Sequence, residues 1–471
     1  MFSVRTTVIG VAGLLTLLSG CAIGPKYVRP TAQIPAAYKE SKDWKVAQPQ
    51  DTMIRGAWWK IFNDPRLDAL EDQVNVSNQN IAQAEAQYAE AYALVQAAKS
   101  SFFPTLGVGA AYTRSHNSSG SGSGSSSNSH YAVSQNLLSA NVSWELDLWG
   151  KIRRTIEANR DAAQASKADL ENVRLSAQAQ LAQDYFQLCS LDAQKKLLDD
   201  TNVIYQKFLD LTKNQYASGV AAESAVIQAQ TQLEATQAQA IDIGVQRSQM
   251  EHAIALLMGK PASNLSIPFL TLPNTVPSVP AGVPSEILER RPDIAAAERT
   301  VASANALIGV AEAAYYPTLT LSASGSDESS NLARIFSSPN PLWSVGPALA
   351  ETIFDAGLRQ AQTAQAKAVY DQDVATYRET VLTAFQQVED NLAALRILEQ
   401  EKQIQDAAVK DAQKAVELEI NQYKAGTVSA LDVITTQATA FSDEKAAVTI
   451  LGERMNACVL LIQYLGGGWK A

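Results

Sequence analysis

Histidine is almost missing from this 471-residue chain: His116, His130 and His252 are the only three. Two stand in a run of Ser and Gly and one in a helical stretch, so no metal-ligand spacing exists. Cysteine is as scarce, with Cys21, Cys189 and Cys458. Spacing does not decide whether Cys189 and Cys458 pair, and two buried free thiols are the plainer reading. Clustered Lys and Arg are absent and the net charge is −10. That excludes nucleic acid as a partner, because phosphate contacts need concentrated positive charge. No phosphate loop or nucleophile elbow occurs, and "GSGSG" lacks the flanking strand and helix of a dinucleotide site. Neither an enzyme nor a cofactor is expected. Beyond the first residues no run of about 18 apolar side chains exists, so no membrane-crossing helix is expected. If this chain spans a bilayer, strands must do it.

What is there begins with "MFSVRTTVIGVAGLLTLLSGC". One positive charge, Arg5, precedes an apolar run from Val8 to Leu18 with the proportions of a signal-peptide core. Leu18-Ser19-Gly20-Cys21 resembles a bacterial lipobox. Residues 1–20 then form a lipoprotein signal, and Cys21 carries a diacylglyceryl anchor at the head of segment 21–67. The alternative is an ordinary signal with an incidental Cys. Ala22 is not Asp, so the rule for inner-membrane retention is not met. Acyl chains contribute about 0.8 kcal/mol per buried methylene, which makes several together a firm anchor.

The remainder is a duplication. Pro104-Thr105-Leu106 recurs as Pro317-Thr318-Leu319, 213 positions later. "DLWGKIRR" around Gly150 recurs as "FDAGLRQA" around Gly357, and "QYASGV" around Gly219 as "QYKAGT" around Gly426, both 207 positions later. Repeat one covers 68–260 and repeat two 285–468. The shortfall of six lies between Pro104 and Gly150, where "SHNSSGSGSGSSSNSH" (115–130) forms a solvated loop. Residues 261–284 carry a Pro every few positions and read as an extended strap.

Within each repeat the order is helix, strand, loop, strand, long helix, turn, helix. The fold class is mainly α with a small β portion. The first helix starts at Asp64-Pro65, a cap followed by Pro; its counterpart starts near Pro284-Ser285. Strands are expected at about 105–115, 135–148, 318–325 and 343–354, with Pro347 and Glu351 interrupting the apolar row of the last. In the second strand Leu138, Ala140, Val142, Trp144, Leu146 and Leu148 alternate with Ser139, Asn141, Ser143, Glu145 and Asp147. Such alternation over about ten residues marks a membrane strand. It also suits a half-buried soluble strand, but no other element offers to cover four apolar faces. Residues 151 to about 213 and 358 to about 423 hold no Pro, and each extends on the order of 95 Å as helix. Val381, Phe385, Val388, Leu392 and Leu395 step by four and three, as a coiled-coil seam does. Gly219 and Gly426 end these helices. Four strands cannot close a barrel, since single-chain barrels begin at about eight. Open edges in lipid cost several kcal/mol per unpaired group, so several chains must share one barrel.

The chain resembles the TolC- and OprM-type outer-membrane factor family, in its lipoprotein branch. The residues that carry the likeness are "CAIGPKYVRP" (21–30), "WWKIFNDPRLDAL" (58–70), both Pro-Thr-Leu motifs, "WELDLWGKIRR" (144–154), "GVPSEILERRPDIAAAE" (282–298) and "IFDAGLRQA" (353–361). The resemblance implies a homotrimer with a twelve-stranded barrel in outer-membrane lipid and a long periplasmic helical tunnel. Its implied partners are a periplasmic adaptor and an inner-membrane pump, often of the resistance-nodulation-division class. Pro104 and Pro317 become helix-to-strand switches, since Pro lacks an N–H and disfavours helix before it. Phe102, Phe103, Tyr315 and Tyr316 become an interfacial aromatic girdle, or plain packing at a helix end.

The resemblance also places a periplasmic gate after the second tip. Leu431 matches an apolar constriction, Asp432 an acidic ring, and Tyr423 a latch tyrosine. The matching first-repeat acid falls at Ala225, the latch arginine at Val428 and the second acid at Thr435, so that latch cannot form as such. A gate of Leu431 and Asp432, flanked by Thr435 and Tyr423 and held by helix packing, is expected. A solvated charge or an acid of the helix's first turn is the alternative for Asp432. Gly219, Val220, Gly426 and Thr427 are the expected adaptor contacts. The implied function is a passive exit duct for small molecules such as antibiotics. A type I secretion duct, or a pore-less coiled-coil lipoprotein, are the rivals.

Overall fold

In the computed structural model the described residues are 22–35, 37–40, 56–117, 131–279, 290–335 and 342–467. Cys21, most of the Ser-Gly run and the stretch at Pro284-Ser285 lie outside them. The described helices and strands are α1 (Pro65–Ser77), α2 (Gln79–Ser100), β1 (Thr105–Asn117), β2 (Tyr131–Leu146), α3 (Lys151–Ala217), α4 (Glu223–Leu257), α5 (Pro292–Ala313), β3 (Thr318–Ser329), β4 (Leu342–Ala350), α6 (Leu358–Lys424) and α7 (Ala430–Tyr464). They divide into two compact units. One holds the chain up to Pro30 with Ala89–Ala165 and Ala297–Thr376; the other holds Thr31–Tyr88, Ser166–Ala296 and Tyr377 onward.

The first unit contains the sheet. Its order is β1-β2-β3-β4, and every pairing is antiparallel. The last strand stops at Ala350 rather than near 354. Glu351 therefore leaves the ladder before it would put a charge in the apolar row. Pro347 stays, on an edge strand where a missing N–H is tolerated. The second strand also shifts, to Tyr131–Leu146, because Asp147 turns to cap α3. Its carboxylate accepts from the amides of Ile152 (2.9 Å) and Arg153 (3.0 Å). Asp355 does the same work for α6, accepting from Gly357 and Arg359 amides at 3.0 and 3.2 Å.

The second unit is helical. The expected single helix after Asp64 is two, because Asn78 intervenes. Its side-chain oxygen accepts from Asn80 and Ile81 amides at 2.9 and 3.1 Å, capping α2. Its amide donates to the last carbonyls of α4, at Leu257 (2.8 Å). Asp64 caps α1 through the Arg66 amide (2.9 Å) and accepts the Tyr185 hydroxyl at 2.5 Å. Trp58, Leu181, Tyr185, Phe186 and Leu188 are fully buried here, and each such side chain stabilises by about 1.5–3 kcal/mol. The duplication is visible in close packing. A Cβ on Gly259 would lie 2.2 Å from the Ser77 carbonyl, and one on Gly466 2.3 Å from that of Arg290. Both repeats thus end on a glycine pressed against the start of the same repeat.

The helix α7 is long and apolar enough to cross a membrane, against the expectation that no helix would be. Its apolarity serves the core instead: Met455, Cys458, Val459, Leu461 and Ile462 are all completely buried in the second unit. Cys189 and Cys458 are both free and buried, and burial pushes each thiol up to about 12.

Candidate functional site

Two sites follow from the residues singled out, one in each unit. The first is the sheet. Its register puts Leu106 opposite Val142 and Val108 opposite Ala140. The same row continues through Val142–Ala323 and Trp144–Leu321 to Leu321–Pro347 and Ala323–Val345. The other face is built of Thr105–Ser143 and Gly107–Asn141, Ser143–Ser322 and Glu145–Thr320, then Ser324–Ser344. Hydroxyls join across it, as between Ser324 and Ser344 at 2.9 Å. Within one chain the apolar row is bare: Val108 is 74% and Trp343 77% exposed. The outer sides of β1 and β4 pair with nothing among the described residues. An apolar face, a hydroxyl face and two open edges are what lipid, water and further strands respectively require.

Pro104 and Pro317 each stand one residue before a strand. The helices before them tighten first. Phe102 and Phe103 amides donate three residues back to Lys99 and Ser100 carbonyls, and Tyr315 and Tyr316 do likewise to Glu312 and Ala313. The four aromatics are between 38% and 69% exposed. Tyr316 stacks on Trp149, centroids 4.9 Å apart. Beside this junction the segment after Cys21 is held down. The Arg154 guanidinium donates to the carbonyls of Ile23, Gly24 and Pro25 at 3.0–3.3 Å, and the Tyr27 hydroxyl donates to Glu298 at 2.9 Å. Sequence reasoning missed Arg154. The signal was the doubled arginine in "GKIRR", of which Arg153 serves Asp147 at 3.0 Å and Arg154 the N-terminal segment.

The second site is the pair of helix tips. Gly219 and Gly426 adopt φ of +74° and +76°. The amide of Val220 donates to Gln215 (2.8 Å) and that of Thr427 to Gln422 (3.1 Å). With the Gly219–Tyr216 and Gly426–Tyr423 bonds, each tip closes as a Schellman motif. Open space surrounds both glycines, so conformation alone demands them. Above the tips all four long helices share one apolar cluster, including Phe208, Leu233, Tyr423 and Val433. Tyr423 is 5% exposed. Its hydroxyl donates to Thr212 at 3.3 Å and its ring lies 5.2 Å from Phe208. It joins the two hairpins inside one chain rather than facing outward.

Asp432 takes its place in a capping box. Its carboxylate accepts from the Ser429 amide (2.9 Å) and hydroxyl (2.7 Å), while the Asp432 amide donates back to that hydroxyl at 3.4 Å. The Ser429 hydroxyl above all, then its amide, hold the Asp432 carboxyl below the usual carboxylate range. It stays charged at neutral pH. Leu431 is 53% exposed beside it. The Thr435 hydroxyl donates to the Leu431 carbonyl at 2.8 Å. The matching turn of repeat one has Ala222 at the cap, with no side-chain bond.

The outer membrane efflux protein model matches residues 70–260 and 283–467. The pyoverdine export outer membrane protein OpmQ of Pseudomonas aeruginosa is 30% identical over 465 residues, 97% of each chain. The solvent efflux pump outer membrane protein SrpC of Pseudomonas putida is 31% identical over 469 residues, again 97% of each. The solved outer-membrane channel OprN superposes with a TM-score of 0.87 at 28% identity, over 95% of this chain and all of that one. The open state of the Neisseria gonorrhoeae MtrE outer membrane channel gives 0.78 at 26%, over 96% and 99%.

Proposed function

This chain belongs to the outer membrane efflux protein family, and from that premise we propose that three copies close one barrel through which small toxic molecules leave the cell. The chain is an outer-membrane efflux channel. The observation that carries the trimer is the sheet: four strands, one apolar face, one hydroxyl face and both edges open. Three copies give twelve strands, and each β1 then meets a neighbour's β4, which removes every edge. The long helices supply the periplasmic tunnel. Cys21 carries the lipid; the hold of Arg154 on the next described residues, beside the strand-to-helix junction, supports an acyl anchor at the membrane surface. Pro104 and Pro317 switch helix to strand.

The gate lies after the second tip. Leu431 and Asp432 of three copies narrow the pore, with Thr435 one turn above and Tyr423 fixing the hairpin from within. Gly219, Val220, Gly426 and Thr427 receive the periplasmic adaptor, and the inner-membrane pump is of the resistance-nodulation-division class. The relatives' names specify pyoverdine and solvents; solvents and, from the family resemblance, antibiotics and similar small molecules are the solutes proposed for this chain.

The experiment is conductance of the purified protein in a planar bilayer, with the oligomer's mass measured alongside. The expected result is a trimer with small currents that grow in Asp432→Ala. A trimer without current in either protein would remove the duct. Current that does not change in Asp432→Ala would remove the gate and leave the duct.

A further inference from the structure

We infer that the barrel wall carries its own cation filter, made of Glu145 and Glu328 and separate from the acid at the tips. This rests on the trimeric channel reading.

The register decides which side chains meet water. Glu145 pairs with Thr320, and Glu328 with Leu137, in the row that also contains Ser139, Asn141, Ser143, Ser322 and Ser324. That is the hydroxyl face, which a barrel turns inward. Every other described strand residue in this row is neutral, and none is Lys or Arg. Arg114 belongs to the opposite row, with Leu106 and Val108. Neither glutamate has an ion-pair partner among the described residues.

Their placement is at the two ends. Glu145 is one residue from the end of β2, where the strand hands over to α3. Glu328 is one residue from the far end of β3. Thr320 and Glu328 are eight residues apart on β3, which is about 27 Å along the strand. In three copies each mouth therefore carries a ring of three carboxylates, and neutral hydroxyls lie between. Unopposed charge of one sign in a confined pore raises the local concentration of the opposite ion. A solute bearing a positive charge is drawn through, and an anion meets two barriers.

The test is the reversal potential of the trimer in a planar bilayer under a KCl gradient. It is run for wild type, Glu145→Gln, Glu328→Gln, the double variant and Asp432→Asn. The wild type should prefer potassium. Each single glutamine variant should lower the potassium-to-chloride permeability ratio by about twofold and the double variant by about fourfold, the remaining preference being that of the Asp432 ring. Asp432→Asn should lower the ratio as well, but a potassium preference should remain, supplied by the two glutamates. Raising the salt from 0.1 to 1 M shortens the Debye length from about 10 to about 3 Å and should weaken the wild-type ratio. Thr320→Lys, opposite Glu145, should lower the ratio with both glutamates untouched, which covers the case of a glutamine variant that does not assemble. A double variant with the wild-type ratio overturns the filter, as does loss of preference in Asp432→Asn alone. Current without any preference in the wild type also overturns it and leaves the channel standing. A wild-type trimer that passes no current removes both.

Discussion

At the scale of the residue, two buried acids in the helical unit illustrate opposite solutions. Glu71 is fully buried in α1, and neither of its oxygens meets a donor among the described residues. Burial first, then the charges of Asp72 and Asp68, push its carboxyl well above the usual range. The folded chain therefore holds the proton that the unfolded chain releases near about pH 4.3. A raised folded value gives stability that is complete below the unfolded value and fades as pH rises towards the folded one. Glu71→Gln keeps the shape and removes that loss. It should raise the melting temperature at pH 7.5, by an effect on the order of 1 kcal/mol, and leave it unchanged near pH 4. A lower melting temperature at pH 7.5 would show that the carboxylate is needed charged. Asp192, by contrast, is 2% exposed but fully used. It accepts from Arg247 at 2.7 Å and from the Leu270 amide at 2.8 Å, while Arg247 donates to the Ile267 carbonyl at 2.8 Å. These bonds pin the Pro-rich strap to α3 and α4. Asp192→Ala leaves Arg247 with Glu251 at 3.3 Å but leaves the Leu270 amide without its acceptor, and should cost about 1–3 kcal/mol. Thermal melting should show that cost, and limited proteolysis should cut within 261–279.

At the scale of the element, the two tips differ by a cap. Ser429 and Asp432 close a capping box on α7, whereas α4 begins at Ala222 without one. Ser429→Ala should cost about 1 kcal/mol and fray the first turn of α7, where Leu431 and Asp432 sit. The readout is antibiotic leak into intact cells, which should rise, and Ala222→Ser should leave it unchanged. Leak unaltered by Ser429→Ala would mean the gate does not depend on that turn. Much of this geometry was legible in the sequence. Alternation gave the faces of the strands, and the absence of Pro gave helices of 67 residues. What was not legible depended on partners far along the chain. The break at Asn78 exists because its amide reaches Leu257, 179 residues away. Tyr423, expected near the gate, is buried because Thr212 and Phe208 of the other repeat lie beside it. Asp432 read as a channel acid, and its spacing from Ser429 held the capping signature as well.

At the scale of the whole molecule, the decisive property is which row of side chains faces lipid. A charge costs little in a wet lumen and much in hydrocarbon. Val108 and Ser143 test this within one sheet, since Val108 lies in the apolar row and Ser143 in the hydroxyl row. An arginine facing lipid near the bilayer midplane costs about 2–4 kcal/mol, and assembly imposes that cost in every copy at once. Val108→Arg should therefore deplete the assembled form in outer-membrane fractions, measured by unheated gel electrophoresis. Ser143→Arg should assemble normally and change only conductance. Equal assembly of the two variants would mean the sheet does not present its apolar row to lipid. Loss of assembly in Ser143→Arg alone would mean that the row assigned to the lumen is the one buried in lipid. The comparison is made on adjacent strands with the same substituent, so the difference reports the environment of each face rather than the arginine itself.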